Sequence, residues 1–336
     1  MSASSANLTR LGAHGPQSVS RIGLGCMGMS MMYGASDDAQ STATIHAALD
    51  AGVNLLDTGD FYGMGHNEML VGQALQGRRD QALLSVKFGA MRAPDGTWTG
   101  VDGRPAAVKN FLSYSLQRLG TDHIDIYRLA RLDPAVPIED TIGAIAEMIK
   151  AGYVRYIGLS EVGVETIARA HNVHPITDLQ IEYSLISRRP EVKILPRLKA
   201  LGIGVTVYGV LSRGLLVGSG PAGPRDLRAR LPRFHAQNLV QNQQLHVALQ
   251  QLASRLGASA AQIAIAWVAA KGRALGLDMV MLVGARTLRQ LEESLGALPM
   301  SLTEQEMERI EQAIPADAAA GTRYDPVQMA HLDSEK

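Results

Sequence analysis

An alternation constrains this chain more than any other feature. Short β-rich apolar runs are separated by longer segments of helical periodicity, almost from end to end. Eight runs read as strands: SRIGLGC (20–26), VNLLDT (53–58), ALLSVKF (82–88), IDIYRLA (124–130), YVRYIGLS (153–160), DLQIEYS (178–184), GVTVYGV (204–210) and DMVMLVG (278–284). Between them fall helix patterns such as DAQSTATIHAALDAG, HNEMLVGQALQG, AAVKNFLSYSLQRLG and PIEDTIGAIAEMIKAG, each closing at a glycine, where a left-handed C-cap costs least. Strand, helix, strand repeated in this way requires parallel strands joined by crossovers. Eight such units close a (β/α)8 TIM barrel, whose reactive groups sit at the C-terminal strand ends and in the loops after them. An open doubly wound sheet is the alternative.

At 336 residues the chain could hold two domains, but 46% apolar and 19% charged residues with no Pro/Ser-rich or charged linker favour one barrel domain over 1–336. Its core spans about 19–314. LTRLGAHGPQS (8–18) reads as a short polar hairpin that plugs the barrel bottom. Residues 211–237, rich in Gly, Pro and Arg, form a long connection after strand seven. Residues 315–336 read as a final loop and tail.

Lys plus Arg equals Asp plus Glu, 32 each, which gives no bulk electrostatic case for a nucleic acid or membrane partner. A single cysteine, Cys26, rules out an intramolecular disulfide, reads as a buried small hydrophobe and fits a reducing, cytoplasmic location. MSASSANLTR has no basic start followed by an apolar core, so no signal peptide is expected. AQIAIAWVAA (261–270) is about half the length of a membrane span and reads as a buried helix.

GLGCMG, Gly23 to Gly28, matches the G-x-G-x-x-G dinucleotide fingerprint, and Asp57 ends the next apolar run. The spacing fails. In the fingerprint the helix opens on the last glycine and the acidic residue follows about 20 residues on, whereas here MSMMYGASDD intervenes and Asp57 lies 29 residues past Gly28. Ser36 or Asp37 is the better N-cap for the first helix. The glycines instead place Gly25, Cys26 and Met27 at the end of strand one.

The chemistry gathers at two strand ends, DTGDFYG and SVKFG. Asp57, Tyr62 and Lys87 would converge at the barrel mouth as a carboxylate, a phenol and an ammonium. A nearby ammonium lowers a tyrosine's pKa and makes it a better proton donor, while Asp57 pairs with Lys87 and keeps it placed. Alone, each residue reads as a structural or loop residue. Three in register at successive strand ends read as a site.

With these residues in place the sequence resembles the aldo-keto reductases, NADPH-dependent barrels with an Asp, Tyr, Lys, His tetrad. The resemblance covers nearly the whole chain. DTGDFYG is similar to the family's D-T-A-x-x-Y-G, VKFG supplies its lysine, and LDPAVPIEDTIGAI, KAGYVRYIGLSE, LQIEYSLISR and YGVLSRGLL look like successive family blocks of the bacterial and plant-like branch. It implies reduction of a small aldehyde or ketone by hydride transfer from NADPH, with Tyr62 donating the proton. It places Ser160, Glu161 and Gln180 at the carboxamide, although the family usually has Asn where Glu161 stands. It places Tyr208 against the nicotinamide, with Gly25, Cys26 and Met27 approaching the same end of the cofactor, and Gly209, Leu211, Arg213 and Gly214 along the pyrophosphate. In VGARTLRQLEESLGA, Gly284, Arg286, Gln290, Glu293 and Ser294 match the segment for the 2′-phosphate and adenine; a guanidinium at 286 suits a phosphate and favours NADPH. Ser294 stands where Asn is commoner.

One tetrad position departs. Where the family reads Y-x-x-H, IYRLARLDP puts Ala130, which has no donor. His123 lies seven residues earlier, roughly 20 Å away along an extended strand and at the opposite barrel end. His66 reads as a solvated loop or helix-cap residue, and His171 and His174 as surface residues rather than zinc ligands. Arg128 shares the parity of Ala130 and points into the barrel as a buried ion-pair partner; Arg131 should point the other way. Losing one carbonyl donor costs on the order of 3 kcal/mol at the transition state, which implies a slow or selective reductase, with water or a bulkier substrate above Ala130. An NADPH-binding sensor with little turnover is the alternative. Substrate choice rests on the loops around 29–33, 91–99, which carries Trp98, and 211–235.

Overall fold

The structure is a computed structural model that describes residues 7–30, 32–224 and 226–336. Met31, in the first of the loops above, and the first six residues lie outside the described residues. Eight parallel strands close into a barrel: β1 (Ile22–Gly25), β2 (Leu55–Gly59), β3 (Leu83–Phe88), β4 (Ile124–Leu129), β5 (Val154–Ser160), β6 (Ile176–Glu182), β7 (Gly204–Tyr208) and β8 (Met279–Val283). Each pairs with the next, and Met281 against Ile22 closes the ring. Every expected strand is present. The open-sheet alternative is excluded, because no barrel strand is left with an unpaired edge.

The crossovers are α1 (Asp38–Asp50), α2 (His66–Ala74), α3 (Pro105–Leu119), α4 (Ile138–Lys150), α5 (Val164–Val173) and α6 (Ile194–Leu201). Two helices follow β7: α7 (Ala236–Arg255) and α8 (Ala260–Leu275), which meet at 86°. After β8 come α9 (Leu288–Leu295), α10 (Glu304–Ala313) and α11 (Pro326–Ala330). Local chemistry sets these ends. Asp37 accepts from the Gln40 N–H and caps α1, and the intervening loop separates α1 from the GLGCMG glycines. Ser259 and Gln262 form a capping box at α8, and Gly120 ends α3 at φ 61°. α8 is apolar on most of its surface because it is buried there; Trp267 is fully enclosed and stacks on Tyr183. Among the described residues no single helix is long and apolar enough to cross a membrane.

Two apolar layers hold the fold. The larger lies between strands and helices, and a small inner cluster of Leu11, Val19, Leu55, Ile126, Val280 and Leu282 fills the barrel bottom. The hairpin Leu8–Thr9/Val19–Ser20 delivers Leu11 to it, as the plug expectation requires. Above that cluster the interior turns polar. Arg128, fully buried, pairs with Asp178 at 3.0 Å and donates to Ser85 at 3.1 Å and to the Leu159 carbonyl at 3.2 Å. Gly158 makes room for this pair: a Cβ there would lie 2.7 Å from the Arg128 guanidinium carbon. A buried guanidinium needs a carboxylate, and Arg128 has one.

Candidate active site

At the C-terminal strand ends, register brings Asp57 opposite Ser85 and Gly59 opposite Lys87. Asp57 ion-pairs with Lys87 through one oxygen and accepts from Ser85 (2.9 Å) and Gln180 (2.6 Å) through the other. The Gln180 carbonyl takes a further bond from Lys87 at 3.0 Å. All four side chains are buried, so this network is fixed before any ligand arrives. Burial draws the Lys87 pKa down, against the opposing pull of Asp57.

Tyr62 follows β2 on a tight turn in which Gly63 and Gly65 take positive φ (56° and 94°). Its ring packs edge-on against Phe61, and the Lys87 ammonium lies over its face, 5.3 Å from the centroid. Among the described residues nothing hydrogen-bonds the Tyr62 hydroxyl. The expectation that Lys87 lowers its pKa is corrected. Burial first, then the Asp57 charge, push the phenol well above 10, and Arg131 is the foremost opposing cation. The reason is geometric: Lys87 meets the ring face and is already neutralised by Asp57. The phenol therefore holds its proton at neutral pH.

The tail, expected as a final loop, folds back across the mouth. Arg323 enters a buried carboxylate pair, donating to both oxygens of Glu161 (3.1 and 2.9 Å) and lying 3.3 Å from Glu182. Glu161 also accepts from Ser334, from the Tyr208 hydroxyl (2.7 Å) and from the Glu182 N–H (2.9 Å). Burial would raise its pKa, but Arg323 and Arg131 outweigh that and hold it far below the usual range. Glu161 sits at φ 52°, a strained left-handed conformation for a non-glycine residue. Glu161, expected at the carboxamide, anchors the tail through Arg323 and Ser334. Arg213, expected along the pyrophosphate, pairs with Glu182 at 2.7 Å and donates to the Tyr324 hydroxyl at 2.7 Å. Burial alone would raise the Glu182 pKa, yet Arg213, Arg323 and Arg233 bring it to about 2.

Tyr324 stands at the centre of this cluster. Its hydroxyl meets Tyr208 (3.2 Å), Arg213 and Arg131 (3.2 Å), and its ring lies within 6 Å of three guanidiniums, at 5.8 Å from Arg131, 4.8 Å from Arg213 and 5.8 Å from Arg323. Arg131 is thus a mouth residue, a correction to the parity argument. β4 ends at Leu129, so strand alternation does not extend to residue 131.

The remaining expected contacts ring the same face. Gly25 ends β1 opposite Asp57, Cys26 donates its N–H to the Asp57 carbonyl, and Met27 opens a short 3-10 turn. The Cys26 thiol is buried, and burial pushes its pKa up, consistent with a packing role. Ser160, opposite Gln180 across β5 and β6, has a buried hydroxyl without a partner among the described residues. Leu211 precedes a turn in which Ser212, Arg213 and Gly214 all take positive φ, and Gly209 does so before it. Gly284 follows β8; the Arg286 N–H is taken by Gln290, and its guanidinium by the carbonyls of Tyr33 (3.0 Å) and Ala35 (3.2 Å). Glu293 is half-buried on α9, while Ser294 is buried and bonds back to the Gln290 carbonyl.

His66 bridges Ser30 and Asp38, His123 bonds Asp122 beyond the start of β4, and His171 accepts from the Ile176 N–H. Trp98 stands on the hairpin Ala90–Arg92/Trp98–Val101 and meets His331 of the tail edge-on at 5.8 Å. Sequence reasoning gave Arg131 the opposite orientation and missed Glu182, Arg323, Tyr324 and Ser334. The one available signal was a Gly-Thr-Arg-Tyr run in an otherwise featureless tail.

This constellation, an Asp–Lys pair and a tyrosine at the C-terminal face of a barrel, defines a class. The model of the Aldo/keto reductase family matches residues 21–315. The probable aldo-keto reductase 1 of Glycine max is 38% identical over 322 residues, covering 94% of this chain and 91% of its own. The structure of glycerol dehydrogenase AKR11B4 from Gluconobacter oxydans superposes with a TM-score of 0.81 at 27% identity, over 98% of this chain and 97% of that one. The holo form of aldo-keto reductase AKR11C1 from Bacillus halodurans gives 0.74 at 26% identity, over 98% and 99%. The chain belongs to the aldo/keto reductase family and is an NADP(H)-dependent oxidoreductase.

Proposed function

We propose that the protein reduces small aldehydes or ketones to alcohols, using NADPH and the proton of Tyr62. The observation that carries this reading is Tyr62, a buried residue whose hydroxyl bonds to none of the described residues and which is set beside the Asp57–Lys87–Gln180 network. The residues present fit the cofactor. Ser160 offers a buried hydroxyl with no partner among the described residues, suited to a carboxamide, with Gln180 beside it. The ring of Tyr208 would back the nicotinamide, and the turn at Gly209, Leu211 and Gly214 would follow the pyrophosphate. Gly284, Arg286, Gln290, Glu293 and Ser294 border the adenosine end, with Arg286 the cation for a 2′-phosphate. When bound, NADPH supplies a hydride to the carbonyl carbon.

The chain's own residues do the rest. Tyr62 keeps its proton because burial disfavours the phenolate, and releases it only as charge develops on the carbonyl oxygen. Asp57 holds Lys87 over the Tyr62 ring, and the tail, with Tyr324 and Arg323, narrows access for water. NADPH oxidation should be followed with aromatic and short aliphatic aldehydes. Glyceraldehyde belongs in the panel, since one structural neighbour is a glycerol dehydrogenase. Turnover on at least one is expected; NADPH binding with no turnover on any would favour the nucleotide-binding sensor instead.

A further inference from the structure

Three arginines converge on Tyr324 at the barrel mouth, and they are not equivalent. Arg213 is paired with Glu182, and Arg323 with Glu161, Glu182 and Glu335. Arg131 has no carboxylate within 4 Å among the described residues. Its hydrogen bonds go to its neighbour, the Ala130 carbonyl (2.7 Å), and to the Tyr324 hydroxyl (3.2 Å). A guanidinium carries five donors; the Glu161 charge that Arg131 feels is already bonded by Arg323, Ser334 and Tyr208, which leaves Arg131 donors for an oxygen that the protein does not itself supply. Its position decides which oxygen. Arg131 reaches the Ala130 carbonyl at the end of β4 and, through the Tyr324 hydroxyl, joins Tyr208 at the mouth, and its charge acts on both Tyr62 and Lys87. The end of β4 beside it is the methyl group of Ala130, buried and without a donor.

We propose that Arg131 donates a hydrogen bond to the reacting carbonyl oxygen, opposite the Tyr62 hydroxyl, and so supplies the electrophile that Ala130 cannot. This rests on the reductase reading. As the carbon accepts the hydride, the C=O π pair becomes the bond to the proton leaving Tyr62, and the phenolate is reprotonated from solvent. Arg131 stabilises the growing negative charge without giving up a proton, since a guanidinium is far too weak an acid. Tyr324 acts as a positioning residue: its hydroxyl fixes one end of the guanidinium and shares it with no carboxylate.

The test compares wild type, Arg131→Gln, Tyr324→Phe and Tyr62→Phe on the best aldehyde, with NADPH affinity read separately by fluorescence. Arg131→Gln should lower kcat by on the order of a hundredfold or more, with NADPH affinity within about threefold of wild type. Guanidinium chloride at millimolar concentration should restore about tenfold in that variant and nothing in Tyr62→Phe, a rescue that a merely structural role would not give. Tyr324→Phe, which keeps the ring but removes the hydroxyl from Arg131, Arg213 and Tyr208, should lower kcat by roughly tenfold with the charge still present. Arg131→Gln turning over within threefold of wild type while Tyr62→Phe is inactive would overturn the assignment and leave the reductase reading standing. Should Arg131→Gln fail to fold, an unchanged kcat in Tyr324→Phe overturns it equally. Full activity in Tyr62→Phe would instead remove the reading on which it rests.

Discussion

Asp60 stands two residues before Tyr62, buried, with one carboxyl oxygen on the Gly89 N–H at 3.1 Å and the other without a partner among the described residues. Burial first, then the nearby Glu68, raise its pKa from 3.8 to about 7, while Arg118 opposes and is itself engaged by Glu68. The folded protein therefore keeps the Asp60 proton up to about pH 7, whereas the unfolded chain releases it from near 3.8. Stability should fall as pH rises across that window and level off above it, because the native state binds more protons there. Asp60→Asn should flatten this slope and raise stability at pH 8 by about 2–4 kcal/mol, measured by urea unfolding as a function of pH. An unchanged slope would mean that another group carries it. At this scale Asp57, Tyr62 and Lys87 were legible because each ends or follows a readable strand. Arg131 was misplaced because alternation was carried past the last hydrogen-bonded residue of β4.

Among the elements, the tail was the least legible. Its bonds join residues far apart in sequence, 162 positions between Glu161 and Arg323 and 170 between Gly163 and Asp333, and no local periodicity announces such contacts. Asp333 accepts from the Gly163 N–H and the Thr166 hydroxyl at the start of α5, so the tail also serves as that helix's cap. Arg323→Ala leaves the buried carboxylates Glu161 and Glu182 short of one cation. It should cost about 3–5 kcal/mol, read by thermal or chemical unfolding. Hydrogen exchange at the Ser334 N–H, which is bonded to the Glu161 carbonyl, should quicken in the same variant. Wild-type protection there would show that the tail is held by its other contacts alone. The strands, by contrast, were legible throughout, since parallel strands buried on both faces read as continuous apolar runs whatever the loops do.

Across the whole molecule the two ends of the barrel divide the work. The bottom is closed by apolar packing around Leu11, and the mouth by buried charge. Leu11→Ala should cost about 2–5 kcal/mol through the cavity it leaves, yet leave kcat unchanged, because the plug and Tyr62 sit at opposite strand ends. A fall in kcat at full folding would contradict that division. The most direct test of the central claim is at the mouth. In a single turnover with excess enzyme, NADPH and the best aldehyde, Tyr62→Phe should abolish the loss of nicotinamide absorbance while binding NADPH as wild type does. Absorbance loss at the wild-type rate in Tyr62→Phe would contradict the assignment of the proton to Tyr62.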